Sequence, residues 1–497
     1  MTGRHDLKTG TVGIRKQKMQ SEVIGGTMSK HTVEEVDFLI IYEHKVRELE
    51  NMCLIKYELE KRGYKVLIKH IEDEEALAAV KPIYHAKVVM TMACYQNASL
   101  EWHTKDFVSF DKVIDMQWEN IVYPKDERAG VFKNYTGIGR EVVRVSWGEA
   151  NRRRLLEAAH MDPRNIKVVG HIGMDFLRDE LKGYYLDRET LFAEYGLSAD
   201  KKVLLFASPF YADNLSEDYI AGMCRKHGED WRDYYEFMMR SEKIILEWME
   251  RLCRERDDIL VIYRPHPGHI GVHMSEVAKR CDNFKVISDK SVKQWIIVSD
   301  IVYTGNSSTI VEAYFAGRMC HLLFPLPVTD GFELKLVSQG RKITDYEAFA
   351  RTVDEKDPVF PIDKSAINEI YLVDEKEPSY KKLADMAEEV YKDPSYNLTK
   401  EQLASYQTKQ PPLIRMQKRL QQWDWFYEKY KDILANEHIH WHWIEGQRAL
   451  RREKAERNKR FAIESTSEEE IRAIIQRIAA QLDGTSKRDG GQVEKSH

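Results

Sequence analysis

Two successive runs of short apolar strands alternating with amphipathic helices predict an α/β protein with two Rossmann-like domains facing across a cleft. Runs rich in Val, Ile and Leu recur from residue 37 to about 170 and again from 203 to 324, each followed by a helical pattern. The alternation breaks near 175–200, which sets the division between the halves. Beyond about 375 the pattern changes to helices heavy in Lys, Glu, Gln and aromatic residues, adding a helical C-terminal extension.

Residues 1–34, rich in Gly, Lys, Ser and Thr, read as a flexible leader. The first domain, 35–185, opens with Asp37-Phe38-Leu39-Ile40-Ile41-Tyr42 as a buried strand. A helix from about Val46 to Arg62 follows and Gly63 ends it. Further strands are expected at Val66–Ile68, Lys87–Met92, Lys112–Met116, Arg144–Ser146 and Ile166–Val169, with a helix over Glu149–His160. The second domain, 186–375, repeats the scheme. Its helices are expected at Arg188–Tyr195, Tyr235–Arg256 and Val272–Arg280. Its strands are expected at Val203–Phe206, Ile259–Tyr263, Lys285–Ile287, Ile301–Thr304 and His321–Phe324. The extension covers 376–484, and 485–497 reads as a disordered tail. Within the extension Trp423, Trp425, Phe426, Tyr427 and Tyr430 cluster, a pattern that fits packing or docking better than a ligand site.

At 497 residues the chain is too long for one ordinary core. A hydrophobic fraction of 43% with 32% charged residues describes a soluble globular protein, and a net charge of −5 gives no reason to expect a nucleic-acid partner. The six cysteines are scattered without a CxxC pair, which argues against structural zinc and a disulfide framework. His438, His440 and His442 would not share one helical face, so they are read as non-ligands. No stretch reaches the roughly twenty apolar residues of a membrane span, and no apolar signal core is present. The expected location is cytoplasmic, with peripheral attachment at the inner face of the membrane left open.

The chemistry concentrates between Asp258 and Ala313. One strand ends in Arg264-Pro265-His266-Pro267-Gly268-His269; a later one ends in Gly305-Asn306-Ser307-Ser308-Thr309 and enters a helix containing Glu312. Open parallel sheets bind ligands outside the carboxyl ends of their strands. Small hydroxyls at a helix start favour a phosphate there. The pair therefore reads as a nucleotide pocket.

With those motifs, Gln117-Trp118-Glu119 and the stretches Val145–Gly148 and Val169–Asp175, the chain resembles bacterial surface-carbohydrate biosynthesis proteins of GT-B type. It is similar in pattern to CDP-glycerol glycerophosphotransferases and to Kdo and sialic acid transferases, over roughly residues 37–345. The resemblance implies an inverting, metal-independent glycosyltransferase of surface polysaccharide synthesis (capsule or lipopolysaccharide) with no cofactor. It would use a CMP- or CDP-linked donor and a glycan or lipid-linked acceptor. By the same resemblance the first domain takes the acceptor and the second the donor. His266 and Pro267 would then contact the phosphate and cytidine side, with Arg264, Gly305, Asn306, Ser307, Ser308 and Thr309 around the phosphate. Glu312 would hold the ribose. No Asp-x-Asp motif is present to hold a metal.

The base is expected to be a carboxylate or histidine on the acceptor side. Glycerophosphotransferases of this group carry Trp-His where this chain has Trp118-Glu119, so Glu119 is the first candidate, with that departure. Glu43, at the end of the first strand, is the second; Glu101 and His103 are weaker ones. The alternatives are a CDP-polyol phosphotransferase, a non-hydrolysing nucleotide-sugar epimerase, and a non-catalytic GT-B-like scaffold. His171 and Arg264 also have bland readings as strand-end caps, and Gly170 and Gly173 as close-approach turns.

Overall fold

A computed structural model describes residues 33–73, 82–104, 107–117, 120–181, 183–211, 213, 215–266, 272–374, 376–406 and 464–490. Glu119, Pro267, the aromatic cluster and the histidine cluster lie outside these residues.

Among the described residues, twelve strands form two six-stranded sheets whose pairings are all parallel. The first contains β1 (Glu34–Tyr42), β2 (Val66–His70), β3 (Tyr84–Thr91), β4 (Val108–Asp115), β5 (Val143–Ser146) and β6 (Ile166–Val168), in the order β2-β1-β3-β4-β5-β6. The second contains β7 (Lys202–Ala207), β8 (Ile259–Arg264), β9 (Phe284–Val286), β10 (Ile301–Thr304), β11 (Cys320–Leu323) and β12 (Lys342–Ile343), in the order β12-β11-β10-β7-β8-β9. The two parallel sheets expected from the sequence are thus present. Helices cover the sheet faces, so consecutive strand residues such as Phe38 to Tyr42 and Ile259 to Arg264 are all buried.

The chain order of the strands reverses about β1 in the first sheet and between β7 and β10 in the second, and each reversal opens a crevice at the carboxyl edge. One hydrophobic cluster runs through both halves, joined by Phe176, Tyr184, Tyr185 and Trp295. A second cluster lies under the Asp230–Glu255 helix.

Two later elements return to the first sheet. The Ser379–Lys392 helix packs against it, with Lys112 Nζ donating to the Val390 and Tyr391 carbonyls at 2.7 and 2.5 Å. Its amino end is held by Asp175, whose carboxylate accepts from the Ser379 and Tyr380 amides at 3.1 and 2.7 Å. A carboxylate suits that end because the first helical N–H groups have no partner within the helix. Burial nevertheless pushes the Asp175 carboxyl up to about 7, against the lowering effect of those two amides.

The Glu468–Gly490 helix buries Ile471, Ile474 and Ile478 along the Lys45–Lys61 helix, and Tyr57 donates to Asp483 at 2.8 Å. This helix continues past Thr485, where the sequence is expected to lose order. Among the described residues no helix is long and apolar enough to cross a membrane, and no group of His, Cys, Asp and Glu could hold a metal ion.

Candidate functional site

Three strand ends of the second sheet are locked together at its crevice. Thr304 Oγ1 donates to the Ala207 carbonyl at 2.8 Å, and the Ser208 amide to the Arg264 carbonyl at 3.0 Å. Gly305 follows at the tightest point, where an added Cβ would stand 3.2 Å from Pro209 and 3.4 Å from the Leu323 carbonyl oxygen. Ser307 Oγ donates to Thr309 Oγ1 at 3.1 Å and accepts from the Thr309 amide at 3.2 Å, which folds the turn into the Thr309–Phe315 helix. Ser308 caps no amide of that helix with its side chain, and its hydroxyl faces Tyr371.

Asn306 behaves differently from the expectation. Its Nδ2 donates to the Phe332 carbonyl at 2.7 Å and its Oδ1 accepts from the Leu334 amide at 2.9 Å. Both ends of the amide brace the 332–334 loop.

Arg264 is buried and donates to the Asp289 carbonyl at 2.7 Å and to the Lys290 carbonyl. Burial lowers its guanidinium to about 10, partly offset by Asp289 and Glu312, so it stays charged at neutral pH. It ties the β9–β10 connection to the crevice while placing a positive charge under it. His266 is exposed, with its ring 6.3 Å from that of Tyr211. Glu312 is partly buried. Burial raises its carboxyl above the ordinary range, while Lys293, Arg264 and the Thr309 hydroxyl pull it back.

The first sheet supplies the opposite wall. Arg144 and Asp115 form an ion pair with neither side chain exposed. The Asp115 carboxylate also accepts from the Cys94 and Gln117 amides at 2.7 and 2.8 Å, and Arg144 donates to the Cys94 and Gly139 carbonyls at 2.6 and 2.8 Å. The network fastens the ends of β3, β4 and β5 and fixes Gln117, a non-glycine residue at φ 41°, where the Gln117-Trp118-Glu119 motif begins. Asn120 leaves the motif by accepting from the Trp147 amide at 3.0 Å.

Glu43 leaves β1 with its side chain 39% exposed, 3.9 Å from His44 Nε2. His44 in turn lies 3.8 Å from Glu464, which raises the imidazole's affinity for a proton. His103 is buried against Thr91, with Nδ1 and Oγ1 2.9 Å apart, and reads as core.

Between the two carboxyl edges runs a seam that the sequence pattern does not reveal. Tyr371 lies on the segment that crosses back from the second half, its ring 5.2 Å from Trp147 and 5.8 Å from His171. The Leu372 amide donates to the Trp147 carbonyl at 2.7 Å. Gly148 permits this crossing, since a Cβ there would stand 2.6 Å from the Glu369 and Ile370 carbonyl oxygens. His171 accepts from the Gly173 amide through Nδ1 at 3.0 Å. Burial lowers it to about 3, with Lys293 and Arg47 adding to the effect, so it is neutral. Lys293, in the first turn of the Val292–Val298 helix, completes the seam. Tyr371 and Lys293 were not expected from the sequence. Neither belongs to a periodic or motif-like pattern, and only the fold brings them to Ser308 and Glu312.

No family model matches this chain, and no curated protein sequence matches it. Solved structures with a similar course include the wall teichoic acid polymerase TagF, at 14% identity over 72% of this chain and 89% of that one, with a TM-score of 0.47. A glycosyltransferase from Rickettsia africae ESF-5 covers 73% of this chain and 99% of its own at 13% identity, with a TM-score of 0.38. The UDP complex of S. aureus MnaA covers 76% and 99% at 14% identity, with a TM-score of 0.40. At these scores no function passes from those proteins to this chain.

Proposed function

We propose that the protein is an inverting glycosyltransferase that takes a nucleotide-activated sugar, with a cytidine nucleotide as the preferred carrier, in surface polysaccharide synthesis. The observation that carries this reading is the position of the Gly305–Thr309 turn. It lies at the β7/β10 reversal, above the buried Arg264 charge, and across from Trp147, His171 and Tyr371 of the seam. A crevice of that kind suits an anionic ligand approached by hydroxyls and a fixed positive charge.

In the proposed reaction an acceptor hydroxyl oxygen attacks the anomeric carbon opposite the leaving group. The new carbon–oxygen bond forms as the bond from that carbon to the phosphate oxygen breaks, and the electron pair leaves with the nucleotide. The hydroxyl proton passes to a carboxylate of the first half, Glu119 first and Glu43 second. Ser307, Ser308, Thr309, Arg264 and His266 meet the charge on the departing phosphate, so the scheme calls for no metal. Pro267 and Gly305 shape the approach, and Glu312 is assigned to the ribose. The protein would work in the cytoplasm or against the inner face of the membrane, on a glycan or lipid-linked acceptor.

A calorimetric and thermal-shift panel of CMP, CDP, UMP, UDP, GDP and ADP tests this directly. Selective cytidine-nucleotide binding that His266→Ala and the Ser307→Ala/Ser308→Ala pair weaken supports it. A preference for UDP discards the cytidine assignment, and the absence of binding by every nucleotide sinks the donor site.

A further inference from the structure

The Pro124–Arg128 helix of the first half has little of its own to hold it in place. It is five residues long, buries none of them, and Tyr123 at its start offers no side-chain cap. So short a helix is unstable alone, and its first N–H groups need partners from elsewhere. The second half supplies them. The Lys125 amide donates to the Gly331 carbonyl at 2.9 Å. Gly331 has φ 79°, and a Cβ there would stand 3.0 Å from the Lys125 Cβ, so the approach requires glycine. Lys125 Nζ donates to Asp230 at 2.8 Å and lies 4.9 Å from the Phe332 ring centroid and 5.1 Å from that of Trp231. Glu127 is shared between the halves, with Lys335 Nζ at 2.8 Å on one side and Arg154 Nε at 2.9 Å on the other.

The same 330–335 loop is held from behind by the Gly305–Thr309 turn. Asn306 grips it at the Phe332 carbonyl and the Leu334 amide. Phe332 is fully buried and stacks on Tyr234, their ring centroids 4.2 Å apart. The Tyr234 hydroxyl is 2.9 Å from that of Tyr123, and the Asn306 amide faces it as well. Asn306 thus reaches the first half through the loop backbone, to Lys125, and through the Tyr234 hydroxyl, to Tyr123. On the far side Arg154 donates to the Asn120 carbonyl at 3.2 Å, and Asn120 Nδ2 to the Gln117 carbonyl at 2.6 Å. Those two bonds tie the short helix to the Gln117-Trp118-Glu119 motif.

We propose that the 330–335 loop is a strap through which the turn at 305–309 sets the position of the 120–128 segment, with Asn306 and Tyr123 as its positioning residues. A ligand that steadies Asn306 in the turn thereby steadies the Pro124–Arg128 helix and the motif ahead of it. The acceptor side is then ordered when the donor side is filled. The assignment rests on the proposed function only in taking the turn as the donor site and the motif as the acceptor-side base.

Hydrogen–deuterium exchange on the full chain reads the strap without any ligand, because the Lys125 and Leu334 amides are two of its bonds. Asn306→Ala lowers protection across 123–128 by about ten-fold, the effect of losing one or two hydrogen bonds. The β1 amides of the same half keep their wild-type rate. Coupling is reciprocal, so Tyr123→Phe speeds exchange at Leu334. An effect confined to the mutated half in both variants overturns the strap. Should Asn306→Ala lose its cooperative melting, Asn306→Ser takes its place with the same criterion. With CDP as the probe, wild-type protein gains protection at 123–128, and CDP that binds without slowing exchange there overturns the assignment. Tyr123→Phe keeps CDP affinity within about three-fold while turnover falls about ten-fold; turnover equal to wild type also overturns it. Cross-half exchange effects in a chain that binds no nucleotide would sink the proposed function and leave the strap standing. CDP binding with no cross-half effect in either variant would do the reverse.

Discussion

Replacing Asp115 by Asn perturbs the first-half wall at a point where the structure allows the cost to be worked out. The wild-type carboxylate holds three donors, the Cys94 amide, the Gln117 amide and Arg144, and neither side chain of the ion pair reaches solvent. Asn keeps the shape, leaves the Arg144 charge without its counter-ion and turns an NH₂ toward one of the three donors. Breaking one partner of a buried pair costs about 3–5 kcal/mol, and an added unsatisfied donor about 1–3. The expectation is a loss at the upper end of that range for the first transition in urea. The Asp115→Leu/Arg144→Met double variant should lose less than the sum of its single changes, by at least about 2 kcal/mol. Circular dichroism through a urea series reads both. A loss under about 1 kcal/mol for Asp115→Asn, or strict additivity in the cycle, would refute the claim that this pair fastens the wall.

Three further outcomes are expected. Gly148→Ala pushes a methyl against the Glu369 and Ile370 carbonyls and should cost about 1–3 kcal/mol, measured by calorimetric melting; an unchanged melting temperature would contradict the tight crossing. Asp175 carries its proton in the folded chain up to about pH 7, whereas its ordinary value is 3.8. Its contribution is therefore full below about pH 4 and is lost as pH rises through 7. Asp175→Asn should flatten that decline by roughly 2–4 kcal/mol, and a pH–stability curve parallel to the wild type would count against it. Glu119→Gln should cut turnover roughly 10²–10⁴-fold while nucleotide binding persists, and Glu43→Gln should do so only if the proton goes there instead; steady-state rates on both variants decide between the two.

Strand positions were largely legible because both faces of a parallel sheet are buried, so β1, β7, β8 and β10 read as unbroken apolar runs. The two-residue β12 is too short to leave a pattern. The Glu217–His227 helix buries only Ile220 and Cys224, a stripe too sparse to stand out. At the site, Arg264 and the Ser307–Thr309 turn lie at strand ends as their motifs imply. The use of Asn306 was hidden because its partners lie at 332–334, a contact set by tertiary folding. Lys293 carries no local signal at all, since only the fold brings it beside Glu312 and the seam.

The returning helices have a consequence for how the molecule is made. Asp175 and Lys112 wait for a helix that begins at Ser379, and the Lys45–Lys61 helix waits for Ile471, Ile474 and Ile478. On a ribosome, the second half is synthesised while the first still exposes apolar surface. At about 5–20 residues per second, the roughly two hundred residues between Asp175 and Ser379 take on the order of ten seconds or more to appear. The half made first is thus the half finished last, and cutting the chain between 374 and 379 would leave the earlier fragment aggregation-prone rather than separately folded.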